Sequence, residues 1–67
     1  MDIRDKLRKL RKYSEISAKD FAELTKTSVN TIQAIENKRM MPNLKTIEKL
    51  LEELGYKLTI EKIKLDL

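Results

Sequence analysis

The sequence predicts a small, mainly α-helical domain of four helices, followed by a short β-strand. Apolar residues recur at helical spacing in four segments, and an Asp, Ser or Asn suited to capping a helix stands before each of them. Apolar and polar residues then alternate near the end of the chain, which is typical of a strand. A chain of 67 residues has material for one compact core only.

The first helix is predicted over residues 2–13. An apolar stripe of Ile3, Leu7 and Leu10 follows Asp2, which is a good N-cap residue. The opposite face of this helix is basic, so the helix is amphipathic. Its basic residues are Arg4, Lys6, Arg8, Lys9 and Lys12.

Two short helices joined by a tight turn are predicted next, over residues 18–25 and from Ser28 to Asn37. Ser17 is followed three positions later by Asp20, which resembles a capping box at the start of the first of them. Asn tolerates the left-handed conformation in which many helices end, so we expect the second to close at Asn37.

The fourth helix is predicted from Asn43 to Gly55. The loop before it ends in Pro42, a helix breaker, and Asn43 supplies the cap. Gly55 is the residue type expected just past a helix end. The predicted core of the whole domain is Leu7, Leu10, Phe21, Ala22, Ile32, Ile35, Leu44, Ile47, Leu51 and Leu54, with Leu50 beside this last stripe.

The tail after the fourth helix changes to a period of two. Tyr56, Leu58 and Ile60 are its apolar positions, and they predict a strand. An isolated strand cannot satisfy its own backbone amides, so we expect residues 57–61 to pair with the same strand of a second subunit. The alternatives for this tail are disorder and an extension of the fourth helix.

We therefore divide the chain into a domain of residues 1–55 and a dimerisation tail of residues 56–67. A domain this small buries a limited share of its surface and usually needs a disulfide, a metal or a partner subunit. The composition leaves the partner subunit as the remaining option.

The composition excludes several classes of site. With no Cys and no His, the chain has neither a disulfide nor the usual zinc ligands, and we expect no metal and no cofactor. Its single Gly excludes a Gly-rich phosphate loop. The carboxylates fall mostly on predicted solvent faces, so we expect no catalytic constellation and no small-molecule substrate.

Membrane association is not expected either. No apolar run approaches the roughly 18 residues of a membrane span, and the N-terminus lacks the apolar region of a signal peptide. Membrane-surface binding through the basic first helix is an alternative, but that helix has no Trp or Phe anchor and needs its apolar residues for the core. The sequence predicts a soluble, cytoplasmic protein.

The charge of the chain is unevenly distributed. The net charge is +4, and residues 1–39 hold ten Lys and Arg against six Asp and Glu, whereas residues 40–67 hold five of each. A basic N-terminal part suits a polyanionic partner.

Two short helices with a polar outer face on the second make a unit that fits the major groove of DNA. Around this unit the chain has an ordered set of residues: Arg11, Ser17, Phe21-Ala22, Ser28, Ile32, Ile35-Glu36 and Pro42. This set carries a resemblance, over about residues 3–55, to the phage-repressor (Cro/C1, XRE) family of helix-turn-helix proteins. It implies a lambda-repressor-like domain that binds duplex DNA at the nucleoid, as a homodimer on a palindromic operator, and represses transcription.

Three positions depart from the family pattern. Ala18 stands where the family commonly has a Gln that contacts DNA, so its neighbour Lys19 and backbone amides would take over that contact. Lys26 and Lys38 stand where the family often has Gly, at positions that favour a left-handed backbone.

The resemblance also implies which residues read bases. They lie on the exposed face of the third helix and are Ser28, Val29, Asn30, Gln33 and Ala34. Asn and Gln bind adenine through two hydrogen bonds, and Val or Ala methyls contact a thymine methyl, so this set suits A·T pairs. The alternative is that these amides are simply solvated.

Phosphate contacts are expected at the amide ends of helices and in the basic loop after the third helix. The residues are Ser17, Lys19, Thr27, Lys38, Arg39 and Asn43. The alternative for Lys38 and Arg39 is a solvated surface loop. By the same resemblance, Arg11 and Glu36 form a buried structural ion pair rather than an active site.

The tail suggests a second function. Leu54-Gly55-Tyr56-Lys57-Leu58-Thr59-Ile60 looks like the tail of the HipB-like antitoxin branch of the family, in which this strand pairs between subunits. The alternative function is therefore an antitoxin that binds a toxin protein and regulates its own operon.

Overall fold

Residues 2–59 are described by a computed structural model and form four helices. They are α1 (Ile3–Tyr13), α2 (Ala18–Leu24), α3 (Val29–Glu36) and α4 (Leu44–Glu53). All four predicted helices are present, with bounds within one or two residues of expectation. None of the helices in residues 2–59 has the length and apolar character needed to cross a membrane.

Each helix begins at a side chain that accepts a hydrogen bond from a backbone N–H of the first turn. The four N-caps are Asp2, Ser17, Ser28 and Asn43, as the sequence predicts. These bonds satisfy amides that have no partner inside the helix, so four short helices have defined starts.

The four helices also end alike, in a residue with positive φ just after the C-cap: Glu15 at 58°, Lys26 at 56°, Lys38 at 62° and Gly55 at 85°. The next N–H then bonds a carbonyl five residues back, as from Arg39 to Ala34 at 2.8 Å. The left-handed backbone expected at Lys26 and Lys38 is confirmed. The expectation for Asn37 is wrong, because it is the C-cap at φ −89° and the left-handed position falls one residue later.

The core is formed by apolar residues from all four helices, and α3 packs against both α1 and α2. The buried residues are Leu7, Phe21, Ala22, Ile32, Ile35, Ile47, Leu50 and Leu51, with Leu10 and Leu54 packed against them. Because α3 buries Ile32 and Ile35 between its neighbours, its orientation is fixed by both of them.

The prediction that Leu44 belongs to the core is wrong. Leu44 is 60% exposed, whereas Leu50, which lies beside the predicted stripe, is only 1% exposed. The buried side chains of α4 begin one turn after its start, at Ile47, so the core does not reach the first turn of this helix.

The strand predicted for the tail is not present in residues 56–59, which lie in neither helix nor strand. Ile60, residue 61 and the rest of the predicted tail lie outside the described residues. Tyr56 and Leu58 are partly exposed, at 39% and 36%.

Candidate nucleic-acid interface

The turn between α2 and α3 is held by a buried threonine. Thr25 is fully buried, and its hydroxyl donates to the carbonyl of Phe21 at 2.8 Å. The N–H of Thr27 donates to the carbonyl of Ala22 at 2.8 Å, on the far side of left-handed Lys26. These bonds satisfy the buried polar groups of the turn and fix the start of α3 relative to α2.

One face of α3 is buried and the other is polar and exposed. Ile32 and Ile35 are each 2% exposed, whereas Asn30 and Gln33 are exposed to solvent. Residues three apart are neighbours on a helix surface, so the two amides form one hydrogen-bonding patch. Of the other predicted reading residues, Ser28 is exposed, and Val29 and Ala34 are half-buried.

Ser28 is the N-cap of α3 and therefore has a structural role. Its Oγ accepts from the backbone N–H of Thr31 at 3.1 Å and lies 2.9 Å from the Thr31 hydroxyl. A capped helix start has backbone amides and a positive dipole end, which suit a phosphate group.

The far end of α3 is held by an ion pair between Arg11 and Glu36. The guanidinium donates to both carboxylate oxygens, at 2.7 and 2.9 Å, and its third bond goes to the Ile16 carbonyl at 2.7 Å. The two side chains are only 10% and 9% exposed. The hydrogen bond with Glu36 raises the pKa of Arg11, so the guanidinium stays charged. One guanidinium therefore joins α1, the turn after it and α3.

The residues predicted to bind phosphates stand before and after α3 in the sequence. Lys19 lies on α2 and Arg39 in the loop after α3, and both are exposed, as are the N-caps Ser17 and Asn43. Thr27 is half-buried, and its hydroxyl donates to the carbonyl of Thr25 at 3.2 Å.

The two basic residues of the α3–α4 loop have different surroundings. The ammonium of Lys38 lies 2.9 Å from the carboxylate of Asp5 in α1, a contact that the sequence did not predict. Arg39 takes part in none of the ion pairs found within residues 2–59. Of the two, Arg39 is therefore the better placed to bind a phosphate.

A second contact ties the start of α1 to the same loop. The Arg4 guanidinium bonds the carboxylate of Asp2 at 2.7 Å and donates to the Met40 carbonyl at 3.3 Å. The hydrogen bond from the Arg4 side chain, helped by its backbone N–H, holds the pKa of Asp2 well below its usual value. The loop between α3 and α4 is thus attached to α1 at two points.

Two short helices, a tight turn and an exposed polar face on the second helix define the helix-turn-helix class. A family model described as helix-turn-helix matches residues 6–60. The chain belongs to this family, which is of the Cro/C1 (XRE) type, and its members are DNA-binding regulators rather than enzymes. Comparison with curated proteins and with solved structures gave no match.

Proposed function

We propose that the protein is a sequence-specific transcriptional repressor that binds a palindromic operator in duplex DNA as a homodimer. The observation that carries the proposal is the two-sided character of α3. Ile32 and Ile35 hold it in the core while Asn30 and Gln33 remain free for base edges. A helix fixed in this way can enter a major groove about 12 Å wide without rearrangement.

The chemistry of the patch favours operators that contain A·T pairs. Asn30 and Gln33 each suit the N6 and N7 atoms of adenine, and each good bidentate contact contributes about 1–3 kcal/mol of discrimination. The methyl groups of Val29 and Ala34 suit thymine. No Arg stands among the predicted reading residues, so guanine contacts are not expected from them.

Phosphate contacts would set the register of the complex. Arg39 and Lys19 supply charge, and the capped starts of α2 and α4 supply backbone amides. Lys38 would contribute less than Arg39, because Asp5 already holds its ammonium at 2.9 Å.

A dimer follows from the small number of base pairs that one α3 can contact. A two-fold dimer presents two such helices about 34 Å apart, one helical turn of DNA. Tyr56 and Leu58, partly exposed directly after α4, together with Ile60, are the proposed contacts between subunits.

In-vitro selection of bound duplexes from a random pool tests the function directly. We expect a palindromic consensus with A·T pairs in each half-site. Recovery of sequences without any consensus would refute sequence-specific binding.

Two single substitutions then separate reading from positioning. Asn30→Ala should weaken binding to the selected duplex by about 1–3 kcal/mol and leave mixed-sequence DNA unaffected, whereas Arg39→Ala should weaken both equally. The comparison of the two DNAs is the internal control, because a loss of folded protein would weaken binding to both. Equal effects of Asn30→Ala on both DNAs would contradict a reading role.

The dimer is tested separately, by light scattering of a chain that ends at Gly55. Loss of the dimer is expected, because this truncation removes Tyr56, Leu58 and Ile60. An unchanged dimer mass would refute the tail as the contact between subunits.

A second candidate function is that of an antitoxin. Large apolar side chains are exposed at nearby positions of the chain where the α3–α4 loop meets α4: Met40 at 40%, Met41 at 56% and Leu44 at 60%. Exposed apolar residues that lie together favour a protein partner. Co-expression with the product of an adjacent gene tests this function, and a complex that survives in wild type but not in Met41→Lys would support it.

A further inference from the structure

The outer side of α1 is basic along the last part of the helix. Arg8, Lys9, Lys12 and Tyr13 are exposed there, and we refer to these four residues as the α1 face. Tyr13 is 82% exposed. Asp5, Arg8, Lys9 and Lys12 line an open concavity of about 440 Å³.

Two cations of the α1 face, Lys9 and Lys12, take part in none of the ion pairs found within residues 2–59. Asp5 lies 2.9 Å from Lys38, and Glu36 is bound by Arg11 at 2.7 Å, so Arg8 reaches Glu36 only as a second partner at 3.9 Å. Arg8 and Lys12 are four residues apart, a spacing at which like charges repel and weaken a helix. An external anion bound at the face would relieve this repulsion.

The α1 face also adjoins the surface expected to touch DNA. The 3.9 Å contact of Arg8 with Glu36 places one end of the face beside the last turn of α3, just before Arg39. At the other end of the face, Tyr13 is the last residue of α1 and stands four positions before Ser17, the cap of α2. The face therefore lies between two predicted phosphate contacts.

We propose that the α1 face binds the phosphate backbone of the same duplex that α3 reads. This inference rests on the proposed function and adds a phosphate-binding surface to it. Duplex DNA carries one charge per roughly 1.7 Å of axis, and the α1 face from residue 8 to residue 13 spans about 7.5 Å, so more than one phosphate lies within reach. Tyr13 donates its hydroxyl to a phosphate oxygen in this arrangement.

The salt dependence of binding measures this contact, because each neutralised phosphate contributes about 0.9 to the slope of log affinity against log salt. A dimer presents two α1 faces, so Lys9→Gln/Lys12→Gln removes four contacts and should lower the magnitude of the slope by about 4, and adding Arg8→Gln by about 2 more. Affinity should fall by the same factor on the selected duplex and on mixed-sequence duplex DNA. The matched control is Lys49→Gln/Lys57→Gln, which removes the same charge at two exposed lysines outside α1 and should leave the slope unchanged.

Two results would overturn the inference. One is a Lys9→Gln/Lys12→Gln variant with the wild-type slope, and the other is a control pair that lowers the slope equally, since net charge alone then explains it. In both results the wild type still binds, which leaves the proposed function intact. A wild-type chain that binds neither DNA refutes the function and this inference together. Thermal unfolding of every variant verifies that its fold is retained.

Discussion

Replacing Glu36 by Ala should remove a large part of the stability of this domain. Arg11 would lose two of its three hydrogen bonds, those of 2.7 and 2.9 Å, and keep only the bond to the Ile16 carbonyl. Its guanidinium would remain charged in a site where the side chain is 10% exposed. An uncompensated charge at a buried position is strongly unfavourable, so the substitution lowers stability mainly because it leaves the Arg11 guanidinium unpaired.

The expected loss is about 3–5 kcal/mol, the range for breaking a buried ion pair by removing one partner. Native domains have roughly 0.05–0.15 kcal/mol of stability per residue, which gives roughly 3–10 kcal/mol for a chain of 67 residues. Glu36→Ala therefore removes about a third or more of that stability, and all of it if the domain lies at the lower end of the range. Urea denaturation followed by circular dichroism measures the change in the free energy of unfolding.

The double variant Arg11→Met/Glu36→Leu separates the cost of an unpaired charge from the value of the pair. Replacing both partners of a buried pair by apolar residues is often neutral, so we expect the double variant to be much more stable than Glu36→Ala. A Glu36→Ala protein within about 1 kcal/mol of wild type, or a double variant as unstable as the single one, would refute this reasoning.

Three further predictions concern backbone, charge and core. Glu15→Gly should raise the free energy of unfolding, measured in urea, by about 1 kcal/mol, because φ is 58° there and glycine adopts this left-handed conformation without strain. The control Glu48→Gly, on the exposed side of α4, should lower the free energy of unfolding by about as much. Asp2→Asn should keep the cap but remove the carboxylate that titrates. Because Arg4 lowers the pKa of Asp2 from 3.8, the carboxylate favours folding above that value. The melting temperature of the wild type should therefore exceed that of Asp2→Asn by less as the pH falls from about 5 to about 2, and a constant difference would contradict this. Leu50→Ala should lower the free energy of unfolding by about 2–5 kcal/mol, because Leu50 is 1% exposed, and a loss below about 1 kcal/mol in urea would be inconsistent with a packed core.

Local signals in the sequence are sufficient to predict the helices. A cap depends on one side chain and amides two or three residues away, so Asp2, Ser17 and Asn43 identify helix starts without any knowledge of the fold. The two-sided pattern of α3 is equally local. With 3.6 residues per turn, successive side chains of a helix point about 100° apart, so Ile32 and Gln33 fall on different sides of it.

The contacts between distant segments were not predictable in the same way. Lys38 and Asp5 are separated by 33 positions, and only the packed fold places them 2.9 Å apart. Leu44 has the right spacing for the α4 stripe, but its burial depends on whether the core extends to that turn. The Arg11–Glu36 pairing came from a family resemblance, since composition and periodicity do not specify partners across a fold.

The bonds of the Arg11 guanidinium have a genetic consequence. The direction of α3 is set partly by a residue of α1 whose side chain is buried against Glu36 and Ile16. In a screen for variants that no longer occupy the operator, substitutions at Arg11 would be recovered alongside those at Asn30 or Gln33. Assays of protein abundance in the same cells would distinguish the two groups, since only substitutions at Arg11 would also deplete the folded protein.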